Sequence, residues 1–217
     1  MRKGLLFLVI FYCLIVSSCH NYTIGTYKKE TSEEISSFTQ KDDMFKTSDN
    51  QFYVFETNNK SYLSSYGYTI WCLKKSNTNQ DLFISAEVKK VCGSDKMGYG
   101  LVFSDFVTEQ DKEKMQVILI NTKGEYLIGE VENARFTVTK EWTNTSNLIQ
   151  GYAAYNKISI SYDRGNNLFY LYFNDQQECT FSPIINDFNN TKYGFVATIA
   201  PDENFDSSSV KIEYKLN

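Results

Sequence analysis

The stretch 158–174, ISISYDRGNNLFYLYFN, decides the fold class. Its first five residues alternate apolar and small polar side chains, which is the period of a β-strand with one buried and one wetter face. Asp163 to Asn167 then supplies the Asp, Gly and Asn residues that tight turns favour, and an aromatic-rich run leads back from the turn. The pattern predicts an antiparallel β-hairpin.

The same period recurs on both sides of this hairpin. Residues 66–73 and 82–89 alternate, and the run 115–120 is apolar throughout, as expected of a central strand buried on both faces. Further strands are predicted at 51–56, 99–103, 125–131, 136–138, 195–199 and 210–214. About a dozen short strands without a long helical pattern predict an all-β protein, either a two-sheet antiparallel β-sandwich or a barrel.

The first 19 residues have the layout of a secretion signal. Arg2 and Lys3 precede an apolar run, 5–16, that is too short to span a bilayer comfortably. The next residues, Val16-Ser17-Ser18-Cys19, resemble the lipobox of bacterial lipoproteins. The resemblance implies that residues 1–18 are removed and that Cys19 carries lipid, which would hold the chain on an envelope membrane outside the cytoplasm. An ordinary cleaved signal is the alternative.

Two segments follow the signal. Residues 19–48 are polar and are predicted to form a lipidated N-terminus and tether, with packing of part of the segment as a first strand as the alternative. Residues 49–217 are predicted to form one β-sandwich domain. His20 follows the lipidated cysteine directly. In lipoproteins of bacteria with two membranes, an aspartate directly after the lipidated cysteine resembles a signal for retention in the inner membrane. Its absence here favours the outer membrane if the organism has one.

Composition excludes several kinds of site. A net charge of −4 without a basic cluster excludes a nucleic-acid partner. The only histidine, His20, lies beside the anchor, which excludes histidine chemistry and common zinc sites from the domain. We expect no cofactor; calcium bound by Asp202-Glu203-Asn204 and Asp206 is the alternative to an ordinary turn. Cys72 and Cys92, in neighbouring predicted strands, are the candidate disulfide, and buried thiols are the alternative.

The middle of the chain resembles a known superfamily. Gly98-Tyr99-Gly100-Leu101-Val102-Phe103, the run 115–120, Gly124-Glu125-Tyr126, Trp142 and Tyr193-Gly194-Phe195 follow one another in this order. The order is similar to that of the concanavalin A-like lectin/glucanase superfamily, especially its laminin-G-like members, over residues 50–216. The resemblance implies a jelly roll of two curved antiparallel sheets. It is specific for the fold rather than for a function, because the matching residues are core and turn residues.

One segment matches a catalytic motif in residue type and spacing. Glu109-Gln110-Asp111-Lys112-Glu113 has the spacing of the three-carboxylate strand motif of glucanases in that superfamily, whose carboxylates flank the glycosidic bond. In such a site the intervening residues are apolar, whereas Gln110 and Lys112 are polar. We therefore expect a solvated loop and no catalytic residue.

Exposed aromatic side chains remain as a route to a function, since sugar rings stack on them. The candidates are Trp71, Trp142, Tyr152 and Tyr155, and burial in the core is the alternative for each. They predict a non-catalytic envelope lipoprotein that binds a glycan or an envelope protein partner. A glycoside hydrolase of the same superfamily and a structural subunit of an envelope complex are the alternatives.

Overall fold

The computed structural model describes residues 45–49, 52–57, 67–75, 82–95, 98–105, 114–132, 135–184, 191–199 and 210–216. Cys19, the signal and all of the predicted tether before residue 45 lie outside these residues. The described part of the chain contains thirteen β-strands and no helix. Within it, therefore, no helical segment has the length and apolarity to cross a membrane.

The strands are, in chain order, β1 Phe45–Asp49, β2 Phe52–Thr57, β3 Gly67–Lys75, β4 Phe83–Cys92, β5 Tyr99–Asp105, β6 Lys114–Ile120, β7 Glu125–Glu132, β8 Arg135–Asn144, β9 Asn156–Asp163, β10 Leu168–Phe173, β11 Gln176–Phe181, β12 Thr191–Ile199 and β13 Val210–Leu216. Sheet A has the order β1-β2-β13-β4-β9-β10-β11, and sheet B has the order β3-β12-β5-β6-β7-β8. Neighbouring strands pair antiparallel in both sheets.

Aromatic side chains join the two sheets. The rings of Phe195 in sheet B and Tyr214 in sheet A stack with centroids 4.4 Å apart. Tyr126 and Phe173 make a second contact between the sheets, at 5.2 Å. Such pairs add to the free energy gained from burying their apolar surface. The prediction of an all-β, two-sheet antiparallel jelly roll is confirmed.

The hairpin on which the fold prediction depends is present as β9 and β10. Asp163 Oδ1 accepts hydrogen bonds from the backbone N–H groups of Gly165, at 2.8 Å, and Asn166, at 3.1 Å. A further bond from the Asn166 side chain, together with these, lowers the pKa of Asp163. Asn167 closes the turn with φ 53°, a left-handed conformation that asparagine adopts more readily than most residues.

Two strands differ from the predicted set: β1, which was only the alternative to a tether, and β11. β1 begins at Phe45, so the first strand of sheet A includes residues 45–48 of the predicted tether. β11 lacks a clean alternation of buried and exposed residues. The turn before β11 directs the chain back along β10. Its two residues, Asn174 and Asp175, have φ 50° and 67°, the two positive values of a type I′ hairpin.

The two candidate disulfide cysteines lie in different sheets. Cys72 in β3 pairs through its backbone with Gly194 of β12, whereas Cys92 in β4 pairs with Lys211 of β13. β3 and β4, although consecutive in the chain, therefore belong to different sheets. The Cys72 side chain is outside the described part of the structure, so the disulfide stays a prediction.

Candidate functional site

The outer face of sheet B, which points away from sheet A, is apolar and buried. Seven side chains on it are at most 4% exposed: Val102, Met115, Val117, Leu119, Leu127, Val131 and Val196. Three of them, Met115, Val117 and Leu119, are the outward positions of β6. The middle of this face is therefore apolar.

Trp142, one of the predicted ligand residues, belongs to this buried face. It lies near the end of β8, as predicted, and packs against the apolar cluster. Its ring is so close to Gly98 that a Cβ atom there would be 3.0 Å from the Trp142 Cη2 atom. Phe136 covers Gly129 in the same way, because a Cβ atom on Gly129 would be 2.5 Å from the Phe136 Cζ atom. The edge strand β8 thus contributes side chains that cover sheet B.

Tyr152 and Tyr155 lie in the loop between β8 and β9 and are 49% and 40% exposed. Backbone bonds hold this loop in place: Gly151 N donates to Thr122 O and Ala153 N donates to Lys90 O, both at 2.8 Å. The Tyr152 hydroxyl donates to Gly93 O at 2.7 Å. Both tyrosines are therefore presented by a loop that is fixed to two other segments, the β6–β7 turn and the end of β4.

Tyr155 reaches the outer face of sheet A, which points away from sheet B. Its hydroxyl donates to Glu213 Oε2 at 3.3 Å, and Lys89 Nζ lies 4.3 Å from the centre of its ring. Lys89 and Glu213 face each other across β4 and β13 and form an ion pair at 2.6 Å. The hydrogen bond that Lys89 donates to Glu213 raises the pKa of Lys89, which keeps the ammonium group charged beneath the ring.

At the other end of β4, the outer face of sheet A carries a row of residues that we call the aromatic row: Phe83, Ser161 and Tyr170. Phe83 of β4 lies opposite Ser161 of β9, which lies opposite Tyr170 of β10. Phe83 is 64% exposed, more than any other large apolar side chain among the described residues. Because two strand spacings separate them, Phe83 and Tyr170 stand about 10 Å apart on the sheet.

A second row lies beside the first along the same strands. Ser85, Ser159 and Tyr172 are directly opposite one another, and the two serine hydroxyl oxygens are 2.9 Å apart. Serine side chains are short, so this part of the sheet is lower than Phe83 and the two tyrosines around it. The arrangement is a shallow trough with aromatic sides, and the two serines at its base are only 5% and 3% exposed.

The structure does not gather the four predicted aromatics into one site. Trp142 lies on the outer face of sheet B and Tyr155 on the outer face of sheet A. Trp71 pairs through its backbone with Phe195, and its side chain lies outside the described residues. Sequence analysis missed the trough, although the alternation that buries Ile84 and Ala86 also puts Phe83 at a wet position.

Neither sequence-predicted carboxylate segment is described. Residues 109–113 and the candidate calcium ligands at 202–206 both fall outside the described ranges. Among the residues that the structure does describe, no group of three or more Cys, His, Asp or Glu side chains is arranged to hold a metal ion.

Comparison with known proteins shows a shared fold and no closer relationship. No protein-family model and no curated protein matches the chain. Among solved structures, it is similar to a Bacillus licheniformis beta-glucanase, with a TM-score of 0.54 and 10% identity over 80% of both chains. The alginate lyase Aly36B gives a TM-score of 0.51 and 10% identity over 90% of this chain and 91% of that one. A glycosidic hydrolase gives a TM-score of 0.52 and 7% identity over 80% and 79%. The common feature is the jelly roll.

Proposed function

We propose that this chain is a membrane-anchored envelope lipoprotein whose jelly roll binds a glycan without cleaving it. The binding surface is the outer face of sheet A. The observation that carries the proposal is the aromatic row, in which Phe83 is 64% exposed and aligned with Tyr170 across β9.

The chemistry of this surface suits a sugar. The C–H face of a pyranose ring packs on an aromatic ring, whose π-face is electron-rich, while the hydroxyl groups at its edge need hydrogen-bond partners. Ser161, which is partly exposed, places one such hydroxyl between Phe83 and Tyr170, whereas Ser85 and Ser159 are buried and bond each other. Tyr155 adds a fourth aromatic ring beside Lys89, about 20 Å from Phe83, since six residues of an extended strand separate Lys89 from Phe83. The trough and Tyr155 are thus two separate contact regions on one face.

Two further observations support the proposal. The beta-glucanase and the glycosidic hydrolase that share the fold are, by name, proteins that act on glycans. The Val16-Ser17-Ser18-Cys19 sequence supplies the anchor that would present the domain at an envelope surface. For the non-catalytic role, the support is that polar residues, Gln110 and Lys112, stand between the carboxylates of 109–113 where the catalytic motif has apolar ones.

The experiment is a binding isotherm on a panel of insoluble polysaccharides. Phe83→Ala and Tyr170→Ala are each expected to weaken binding about tenfold or more, as loss of an aromatic anchor does. Ile149→Ala is the matched control, because Ile149 is 56% exposed but lies on the β8–β9 loop, outside the trough. Equal binding by all three variants and the unaltered protein would refute this surface.

A further inference from the structure

We infer that the outer face of sheet A accepts a neutral polysaccharide and rejects an acidic one; this inference rests on the proposed function. The selectivity comes from the distribution of charges around the trough and between the trough and Tyr155.

Each lysine whose side chain the structure describes on this face has a carboxylate partner. The pairs are Lys89 with Glu213 at 2.6 Å, Lys157 with Asp175 at 2.7 Å, Lys215 with Glu87 at 3.7 Å and Lys211 with Glu56 at 4.0 Å. In the adjoining β9–β10 turn, Arg164 stands next to Asp163, which carries the opposite charge. The surface therefore carries many charged side chains, but each positive charge has a negative charge beside it and the local net charge is close to zero.

This pairing disfavours acidic sugars. A uronate carboxylate is recognised through an ammonium or guanidinium group that is available to form a charge-assisted hydrogen bond. Here a uronate that approached Lys157 or Lys215 would also meet Asp175 or Glu87, and like charges brought together without water cost free energy. A neutral sugar meets neither penalty, because its hydroxyls can both donate to carboxylates and accept from lysines.

The aromatic row also sets the direction of the glycan. Phe83 and Tyr170 are aligned across the strands, with the small Ser161 between them. A flat chain that stacks on both rings must therefore cross β4, β9 and β10 instead of running along one strand. The spacing of about 10 Å between the rings exceeds the length of one sugar unit, so the two rings contact different units.

The test uses the mature lipoprotein in detergent micelles and two insoluble probes, a neutral β-glucan and an acidic polygalacturonate gel, each at low and high salt. We expect binding to the glucan that is unchanged by salt and at least tenfold weaker binding to the acidic gel. Tighter, salt-sensitive binding to the acidic gel would overturn this inference while leaving glycan binding intact, since salt screens exposed charges. Binding to neither probe, nor to any other polysaccharide of the panel, would refute the proposed function itself.

A charge variant tests the same inference by gain of binding. Glu87→Gln with Asp175→Asn removes the partners of Lys215 and Lys157 but keeps the shapes of both side chains, and asparagine tolerates the positive φ of residue 175. We expect this variant to gain at least tenfold in affinity for the acidic gel at low salt and to lose that gain at high salt. Unchanged affinity of a variant that melts like the original protein would contradict the role assigned to the ion pairs, and Asp175→Asn alone serves if the double variant does not fold.

Discussion

The Lys90 ammonium group donates a hydrogen bond to the backbone carbonyl oxygen of Ser94, and the whole Lys90 residue is inaccessible to solvent. Lys90 occupies an inward position of β4, in line with the core residues Ala86 and Val88. Its Nζ atom lies 5.9 Å from the centre of the Tyr99 ring. Burial in these surroundings disfavours the charged form and lowers the pKa of Lys90 from 10.5 to about 7.

Lys90 makes the stability of the fold depend on pH. Its pKa is about 7 in the folded chain and 10.5 when unfolded, so between these values the unfolded chain binds more protons and stability rises with pH. We expect a contribution to the slope of up to about 1.4 kcal/mol per pH unit in that window, and none below pH 7. Urea unfolding from pH 6 to pH 10 measures it.

Two variants isolate this contribution. Lys90→Met keeps the length of the side chain and is expected to lose the slope, with its largest gain in stability over the unaltered protein at pH 7 and below. Lys123→Met removes a half-exposed lysine and is expected to keep the slope. A slope that persists unchanged in Lys90→Met would show that Lys90 is charged in the folded protein throughout this range.

The Trp142→Ala variant tests whether the glycan binds to sheet A or to sheet B. Because Trp142 packs on the apolar cluster of sheet B, its truncation is expected to lower the free energy of unfolding by about 2–3 kcal/mol. Glucan binding of the folded variant should stay within about twofold of the original. Loss of binding without loss of stability would place the site on sheet B.

Carboxylate variants test the enzyme alternative. If the domain only binds, the unaltered protein releases no reducing ends from a glucan that it binds, and Glu109→Gln and Glu113→Gln bind that glucan with unchanged affinity. Turnover by the unaltered protein that either variant abolishes would instead favour a glycoside hydrolase.

The lipid anchor has a control within the signal itself. Cys19→Ser is expected to abolish labelling by radioactive palmitate and to prevent normal signal removal. Cys13→Ser alters a cysteine inside the apolar run, which on the proposed function is removed with the signal, and is expected to be labelled normally. Equal labelling of both variants would exclude Cys19 as the attachment residue.

Periodicity predicted most of the fold, and cross-strand register explains what it missed. The strands around Ile160 and Val117 were predictable because burial on one or both faces leaves a local pattern. β11 has no such pattern and depends on the backbone conformation of Asn174 and Asp175. The trough could not be predicted, since Phe83 and Tyr170 are far apart in sequence and only the pairing of β4, β9 and β10 aligns them.

The most direct test of the central claim is an NMR titration of the chain from residue 19, carrying Cys19→Ser, with a soluble neutral oligosaccharide that the panel identifies. We predict that the amide shifts which change are those of β4, β9 and β10 around Phe83, Ser161 and Tyr170. Changes confined to β5, β6 and β7 of sheet B, with the trough unaffected, would contradict the assignment of glycan binding to sheet A.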